Sequence, residues 1–301
     1  QPPDVSVYPE NDFQPVADAG SVASCFIAGT SIELIGEPPT RGRPRHALFD
    51  FDGTLSLIRE GWPEVMIPMM VEILRSTGTG ESAEELRGIT ESFVMELNGK
   101  QTISQMMRLA EEVARREGRP ENPMAYKAKY NRRLMERIET RHEALRTGAD
   151  PGELLVPGSV AMLECLKKRG VQMHLASGTD EPFVKKEAAL LGLTPYFGEH
   201  IHGAQDDHRA FSKAKVIERI LEENGIGGGA LIGFGDGYVE IQNIRAAGGL
   251  AVAVASDEAG RSGRPDSWKR NRLIGAGAHV VIPDFQEADQ LAAFLFEPQM
   301  D

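Results

Sequence analysis

The stretch HALFDFDGTL, residues 46–55, decides how this chain is read. Residues 46–51 form a short apolar run that ends in acid, and Gly53 follows. A run of that length closed by a glycine is a buried strand delivered into a loop. Beyond Pro157 the same theme repeats. Helical periodicity over 159–169, 181–191, 212–224, 239–247 and 287–296 alternates with apolar runs at 171–176, 200–202, 230–234, 250–255 and 280–283. Such alternation predicts an α/β fold, a Rossmann-like parallel sheet with helices on both faces.

Between 62 and 145 the pattern is helical throughout. Val65, Met66, Met69, Met70, Ile73 and Leu74 recur at helical spacing, as do Leu86, Ile89, Phe93, Val94 and Leu97. Thr102 opens a third helix, and a fourth runs over 123–145. Together they predict a small bundle whose methionines are its core. The expected organisation is a core of 46–59 and 151–301, an all-helical cap domain of 60–150, and an extended N-terminal arm of 1–45. Within the arm, 22–28 and 31–35 are candidate strands lying on the body.

Composition narrows the function. The chain has 301 residues, enough for a full core and a second small domain. Apolar residues at 41% and charged residues at 26% fit a soluble globular protein. A formal net charge of −12 argues against a general nucleic-acid partner, which calls for a basic face. It leaves phosphate binding open, since a metal and one or two lysines reverse the field within a cleft. Two cysteines, Cys25 and Cys165, suggest no disulfide framework, and a reducing, cytoplasmic setting is expected. No apolar run approaches the ~20 residues of a membrane helix. The first residues lack the basic start and apolar stretch of a signal peptide, so no membrane partner is expected.

Ligands of open α/β sheets bind at the carboxyl ends of the strands. Four such ends carry polar residues: Asp50 to Thr54, Ser177 to Asp180, Lys213 at a helix start, and Gly235 to Gly237 with Glu240 one turn on. This is the inventory of phosphoryl transfer. A hard cation held by carboxylates offsets the charge of a phosphate ester. One carboxylate attacks phosphorus, splitting hydrolysis into two steps. A second carboxyl group protonates the leaving oxygen and then deprotonates water. Fixed donors hold the phosphoryl oxygens. Asp50, Asp52, Asp236, Ser177 and Lys213 suit these roles, and Gly53 and Gly178 let the backbone approach closely.

With these residues in place, the chain over 46–296 resembles the haloacid dehalogenase superfamily of aspartate-nucleophile phosphatases. DFDGTL matches its first motif, Ser177 the second, Lys213 the third, and GDGYVE (235–240) the fourth. The resemblance implies Asp50 as nucleophile and Mg2+ ligand, and Asp52 as general acid and base with its carbonyl on the metal. It implies Asp236 as a further metal contact, with Glu240 there or acting through water. Ser177, Gly178 and Lys213 would hold phosphoryl oxygens, beside the loop residues Phe51, Gly53 and Thr54. The fourth motif often ends in Asp, and the longer Glu240 departs from that. An acid at Asp52 favours phosphoryl transfer over carbon–halogen or carbon–phosphorus cleavage. The insertion at 60–150 stands where the family places a cap, which implies a small phosphorylated metabolite such as a sugar phosphate or a phosphoglycolate-like compound. Arg59, Glu60, Asn98, Lys100 and Gln101 are the residues expected to reach the site from that side, Lys100 toward substrate.

Rival readings use the same residues. A phosphomutase would return the phosphoryl group to its substrate, and a non-catalytic phosphate-binding scaffold would keep the site without turnover. Ser177-Gly178 alone would be a helix N-cap turn, and Lys215 competes with Lys213. His200, His202 and His208, with Asp206 and Asp207, suggest a second metal site, because residues two apart on a strand share a face. Histidines near a sheet end are nonetheless read here as structural or solvated. Lys167, Lys168 and Arg169 suit a helix C-terminus. The basic segment 261–272 is read as a solvated loop and helix.

Overall fold

Residues 12–37, 43–205, 207 and 210–296 are described in the structure, a computed structural model. Residues 1–11 and 38–42 of the arm, together with Asp206 and His208, lie outside them. The strands are β1 (Ser24–Phe26), β2 (Glu33–Ile35), β3 (His46–Phe49), β4 (Gln172–Asp180), β5 (Ile201–Ala204), β6 (Leu231–Gly235), β7 (Leu250–Val254) and β8 (Val280–Ile282). They form one sheet in the order β1-β2-β8-β7-β6-β3-β4-β5. The six strands from β8 to β5 are parallel, and β1 and β2 extend the edge antiparallel. The chain is therefore an α/β protein with a Rossmann-type sheet, and the two candidate strands of the arm belong to that sheet.

Four helices follow β3: α1 (Pro63–Arg75), α2 (Ala83–Glu96), α3 (Thr102–Arg115) and α4 (Pro123–Arg146). Their starts are set locally. Ser82 and Glu85 exchange the reciprocal bonds of a capping box at α2, and Asn122 caps α4 ahead of Pro123. The remaining helices are α5 (Ser159–Lys168), α6 (Glu181–Leu190), α7 (Thr194–Phe197), α8 (Lys213–Asn224), α9 (Tyr238–Ala246), α10 (Ser267–Gly275) and α11 (Ala288–Phe296). Among the described residues no helix is long and apolar enough to cross a membrane.

Alternation along the strands divides the core between the two faces of the sheet. On β3, Ala47 and Phe49 join one apolar cluster, which continues into α1–α5 and α11. Leu48 joins the other, against α8, α9 and α10. Phe49 stacks on Phe234 with ring centroids 4.5 Å apart, and Phe197 and Phe285 close around them. Each such ring contributes roughly 2–3 kcal/mol by leaving water, which fixes β3 at the centre of the sheet and Asp50 at its carboxyl end.

The strand expected at 171–176 runs on to Asp180, and its register against β5 slips between Ala176 and Asp180. Ser177 and Thr179 therefore stand on extended, irregular backbone rather than in a helix-capping turn. Within the basic segment 261–272, Arg261 and Arg264 are exposed as expected, but the helical part departs from expectation. Lys269 is buried, Arg270 forms a two-bond pair with Glu33, and Arg272 lies over the rings of Phe13, Tyr238 and Trp268. Residues 269–272 are a packed junction, because carboxylates and aromatic rings from distant parts of the chain meet them.

At the β7–β8 boundary, His279 Nδ1 accepts the Ala251 N–H at 3.0 Å, which requires a neutral ring. Burial, with the nearby Arg245 charge, lowers its pKa to about 4. An unfolded imidazole protonates near its usual 6.5, so stability is lost as pH falls from about 6.5 toward 4. With allowance for solvent screening at a half-buried ring, the loss at pH 5 amounts to ~1 kcal/mol. Thermal melts at pH 7.5 and 5.0 should show a smaller drop in His279→Asn than in the parent, since an Asn oxygen still accepts the Ala251 N–H at either pH.

Candidate active site

Four segments meet at the carboxyl rim of the sheet. After β3 the chain reverses within a few residues, Phe51 O accepting the N–H groups of Leu55 and Ser56 at 2.9 Å. Gly53 sits at φ +75°, and a Cβ there would fall 2.2 Å from Asp236 Oδ2. Only glycine permits this turn and this approach. Ser256 Oγ donates to Gly53 O at 2.6 Å and pins the loop. β4 brings Ser177 to Thr179, β6 brings Asp236, and the first turn of α8 brings Lys213 beneath the cap of Ser212.

Lys213 Nζ lies 2.9 Å from Asp50 Oδ1 and 2.7 Å from Glu240 Oε2. Burial opposes its charge, but the two carboxylates outweigh burial and hold it firmly protonated. Burial pushes the Asp50 carboxyl well above the usual range, Lys213 opposing and Glu240 and Asp236 adding to it. Asp52 Oδ2 accepts from Thr179 Oγ1 at 2.8 Å and from Ser177 Oγ at 3.5 Å. Its Oδ1 is buried without a hydrogen-bond partner among the described residues, with Arg59 Nε 3.8 Å away. Burial raises Asp52 to about 6, against the pull of Arg59. Arg59 is itself engaged by Glu187 of α6 through two bonds of 3.0 and 2.8 Å, and His142 of α4 stands 3.4 Å from the same Glu187.

The structure thus gathers Asp50, Asp52, Gly53, Ser177, Gly178, Lys213 and Asp236 around one cleft of about 770 Å³, counting its open mouth. Phe51 and Thr54 lie off its wall. The Phe51 side chain is core, and Thr54 Oγ1 donates to Asp236 Oδ1 at 3.4 Å. Glu240 also stays off the wall. Gly237 N–H occupies its Oε1 at 2.6 Å and Lys213 its Oε2, so it serves first to position Lys213.

From the helical insertion, Glu60, Trp62, Met66, Asn98, Lys100 and Tyr130 line the cleft, beside Arg59. Gln101 does not, contrary to expectation, because its amide turns away to donate to Phe211 O at 2.9 Å. The Lys100 ammonium binds Asp12 of the arm at 2.7 Å. Gly99 lets this loop settle on the fourth motif, where a Cβ would come within 3.1 Å of Gly237 Cα.

Sequence reading gave Thr179 no role of its own and did not single out Tyr130, Glu258 or Lys269. Lys269 Nζ reaches Asp236 Oδ2 at 2.9 Å, Glu258 Oε1 at 2.6 Å and Ser256 Oγ at 3.0 Å. Thr179 carried a usable signal, since it shares a strand face with Ser177. Lys269 carried none, because its partners lie on other elements.

The donor set fits a hard divalent cation. Asp50, Asp236 and Glu240 each bring a carboxylate oxygen within 4.8 Å of the others. Carboxylate oxygens at one point are the chemistry of Mg2+. Asp50 and Glu240 pair with Lys213, Asp236 and Glu258 with Lys269, and Asp52 shares Arg59 with Glu187.

Comparison with known proteins bears on the family and the fold. A family model described as haloacid dehalogenase-like hydrolase matches residues 44–248. No curated protein matches the sequence. The fold is similar to that of a conserved haloacid dehalogenase-like protein of unknown function from Agrobacterium tumefaciens, at 19% identity and a TM-score of 0.54, covering 84% of this chain and 100% of that one. It is similar also to a predicted phosphatase from Clostridium acetobutylicum, at 17% identity and a TM-score of 0.53, covering 85% and 100%. A β-phosphoglucomutase from Clostridium difficile matches at 15% identity and a TM-score of 0.54, covering 83% and 96%.

Proposed function

The chain belongs to the haloacid dehalogenase-like hydrolases, and from that premise we propose that it hydrolyses a small phosphomonoester through an aspartyl-phosphate on Asp50. The observation that carries the reading is the division of labour between two neighbouring carboxyl groups. Burial raises the proton affinity of both, but Asp50 lies 2.9 Å from the Lys213 ammonium, whereas Asp52 Oδ1 is buried with no hydrogen-bond partner among the described residues and Arg59 Nε 3.8 Å away. A carboxylate of Asp50 attacks phosphorus, and the bond to the ester oxygen breaks as Asp52 gives that oxygen its proton. Asp52 then takes a proton from water, whose oxygen attacks phosphorus and releases Asp50 and inorganic phosphate. Ser177, the Gly178 N–H and Lys213 hold the phosphoryl oxygens. Asp50, Asp236 and the Asp52 carbonyl would hold Mg2+, which draws charge from the transferring group. Helices α1–α4 act as a cap that excludes water, and their Trp62, Met66 and Tyr130 present a wall to the leaving group. A polar cleft lined by Lys100 and Asn98 as well as by Lys213 suits a sugar phosphate or a phosphoglycolate-like compound.

A panel of phosphorylated metabolites tests this. With Mg2+, inorganic phosphate should be released from the preferred ester at roughly 1 s⁻¹ or faster, and chelation should reduce release to background. Isomerised ester without phosphate would identify a phosphomutase. Binding of a fluoride-based phosphoryl mimic without turnover on any ester would identify a scaffold.

A further inference from the structure

We propose that His174, His200 and His202 form a second metal site, for a late first-row divalent cation such as Zn2+. The site lies on the α8 face of the sheet and is separate from the carboxylate cluster. His200 and His202 are two apart at the start of β5 and share a face, while the parallel register of Leu175 with Ile201 sets His174 of β4 directly across from His200. One ring nitrogen from each of the three lies within 4.8 Å of the others. The His174 and His200 ring centroids are 4.6 Å apart.

Three imidazoles crowded in this way have no obvious use as packing. Any two that protonated would repel, and they offer one another few hydrogen bonds. His174 points to a ligand independently. It is only 4% exposed, and its Nδ1 has no hydrogen-bond partner among the described residues. A buried polar nitrogen without a partner is costly, and coordination removes that cost. Its Nε2 lies 3.2 Å from His46 Nδ1 on β3. When His174 donates Nε2–H to His46, its Nδ1 presents a lone pair, and the His46 contact fixes ring and tautomer as ligating histidines require. Burial, with the neighbouring imidazoles, holds His174 down to about 3, so the ring is neutral and ligand-ready at physiological pH.

The neighbourhood is mixed in charge. Glu181 faces His202 and favours a cation, whereas Arg219 and Lys185 oppose it. His200 and His202 are half-buried, which gives a metal a way in and leaves a position for water or a small anion. The donor set separates the two centres chemically. Neutral imidazole nitrogens select Zn2+, Co2+ or Ni2+, and carboxylate oxygens select Mg2+. His174 is also three residues before Ser177 on the same strand, so an ion there would stiffen the segment that presents Ser177 and Thr179.

The test is a titration of the whole chain with Zn2+ or Co2+ in excess Mg2+, read by calorimetry and by visible absorption of cobalt. The expected result is one equivalent per chain with the intense bands of four-coordinate cobalt. Affinity should fall at least ~10-fold in His200→Gln and in His202→Gln, the lower end of what losing a ligand's supporting hydrogen bond already costs, and binding should vanish when both are replaced. Asp236→Asn should leave it intact. Failure to take up a stoichiometric ion overturns the proposal, as does uptake that survives the double replacement or is lost in Asp236→Asn. If the histidine variants do not fold, the spectrum of the unaltered chain decides. Intense bands support the site, and weak six-coordinate bands alone place the ion among carboxylates and overturn it.

Discussion

Replacing Asp50 by asparagine should reduce phosphate release by about four orders of magnitude or more, because the other groups of the site act only in concert with the nucleophile. The substitution keeps shape and removes one buried negative charge. The amide oxygen it introduces still accepts from Lys213, which remains paired with Glu240 at 2.7 Å. Folding should therefore be preserved, and far-UV dichroism and melting temperature should match the parent within a few degrees. Rapid quench with a labelled ester should trap a labelled chain in the parent and none in the variant. A variant retaining a few per cent of activity, with label still bound to protein, would place the nucleophile elsewhere.

Lys213→Met should be the most damaging change to stability. It leaves Asp50 and Glu240 buried and facing each other without a cation. Breaking a buried pair by deleting one partner costs about 3–5 kcal/mol, which for a chain of this size lowers the melting temperature by roughly 10 °C. The loss should shrink in acid. Asp50, already raised by burial and no longer opposed by Lys213, can then take up a proton that the folded variant binds more tightly than the unfolded chain, and the stability so gained is lost again as pH rises through the folded pKa. Adding Glu240→Gln should recover part of the loss, and a double-mutant cycle by urea unfolding measures the coupling. If both singles and the double are equally unstable, Glu240 is not what holds Lys213.

Much of the fold is legible because it is written locally. The run into Asp50, the glycine at 53, and the helix starts at Ser82 and Ser212 are set by neighbours in sequence. The antiparallel edge is legible only as two short apolar runs, since its partner β8 comes roughly 250 residues later in the chain. The site divides in the same way. Asp50, Asp52, Asp236, Ser177 and Lys213 stand at ends of elements that periodicity locates. Lys269 stands in a run of arginines that reads as solvated, and its burial is decided by Asp236 and Glu258 arriving from elsewhere. Gln101 fails for a finer reason. One residue of rotation at the start of α3 turns its amide from the cleft to Phe211, and no pattern of hydrophobicity resolves about 100° on a helix.

The chain of contacts from Asp52 through Arg59 and Glu187 to His142 ties proton affinity to mechanical position. Arg59 restrains the pKa of Asp52, Glu187 grips Arg59, and His142 reaches Glu187 from α4. Burial alone would raise the Glu187 pKa, and His142 with Arg59 holds it below the usual range instead. A displacement of α4 from α6 frees negative charge beside Arg59 and so alters how tightly Asp52 keeps its proton. By thermodynamic reciprocity, loading that proton must bias the displacement by the same free energy. Asp52, which we propose as the acid of both chemical steps, would thereby also be a lever on the helices packed above it.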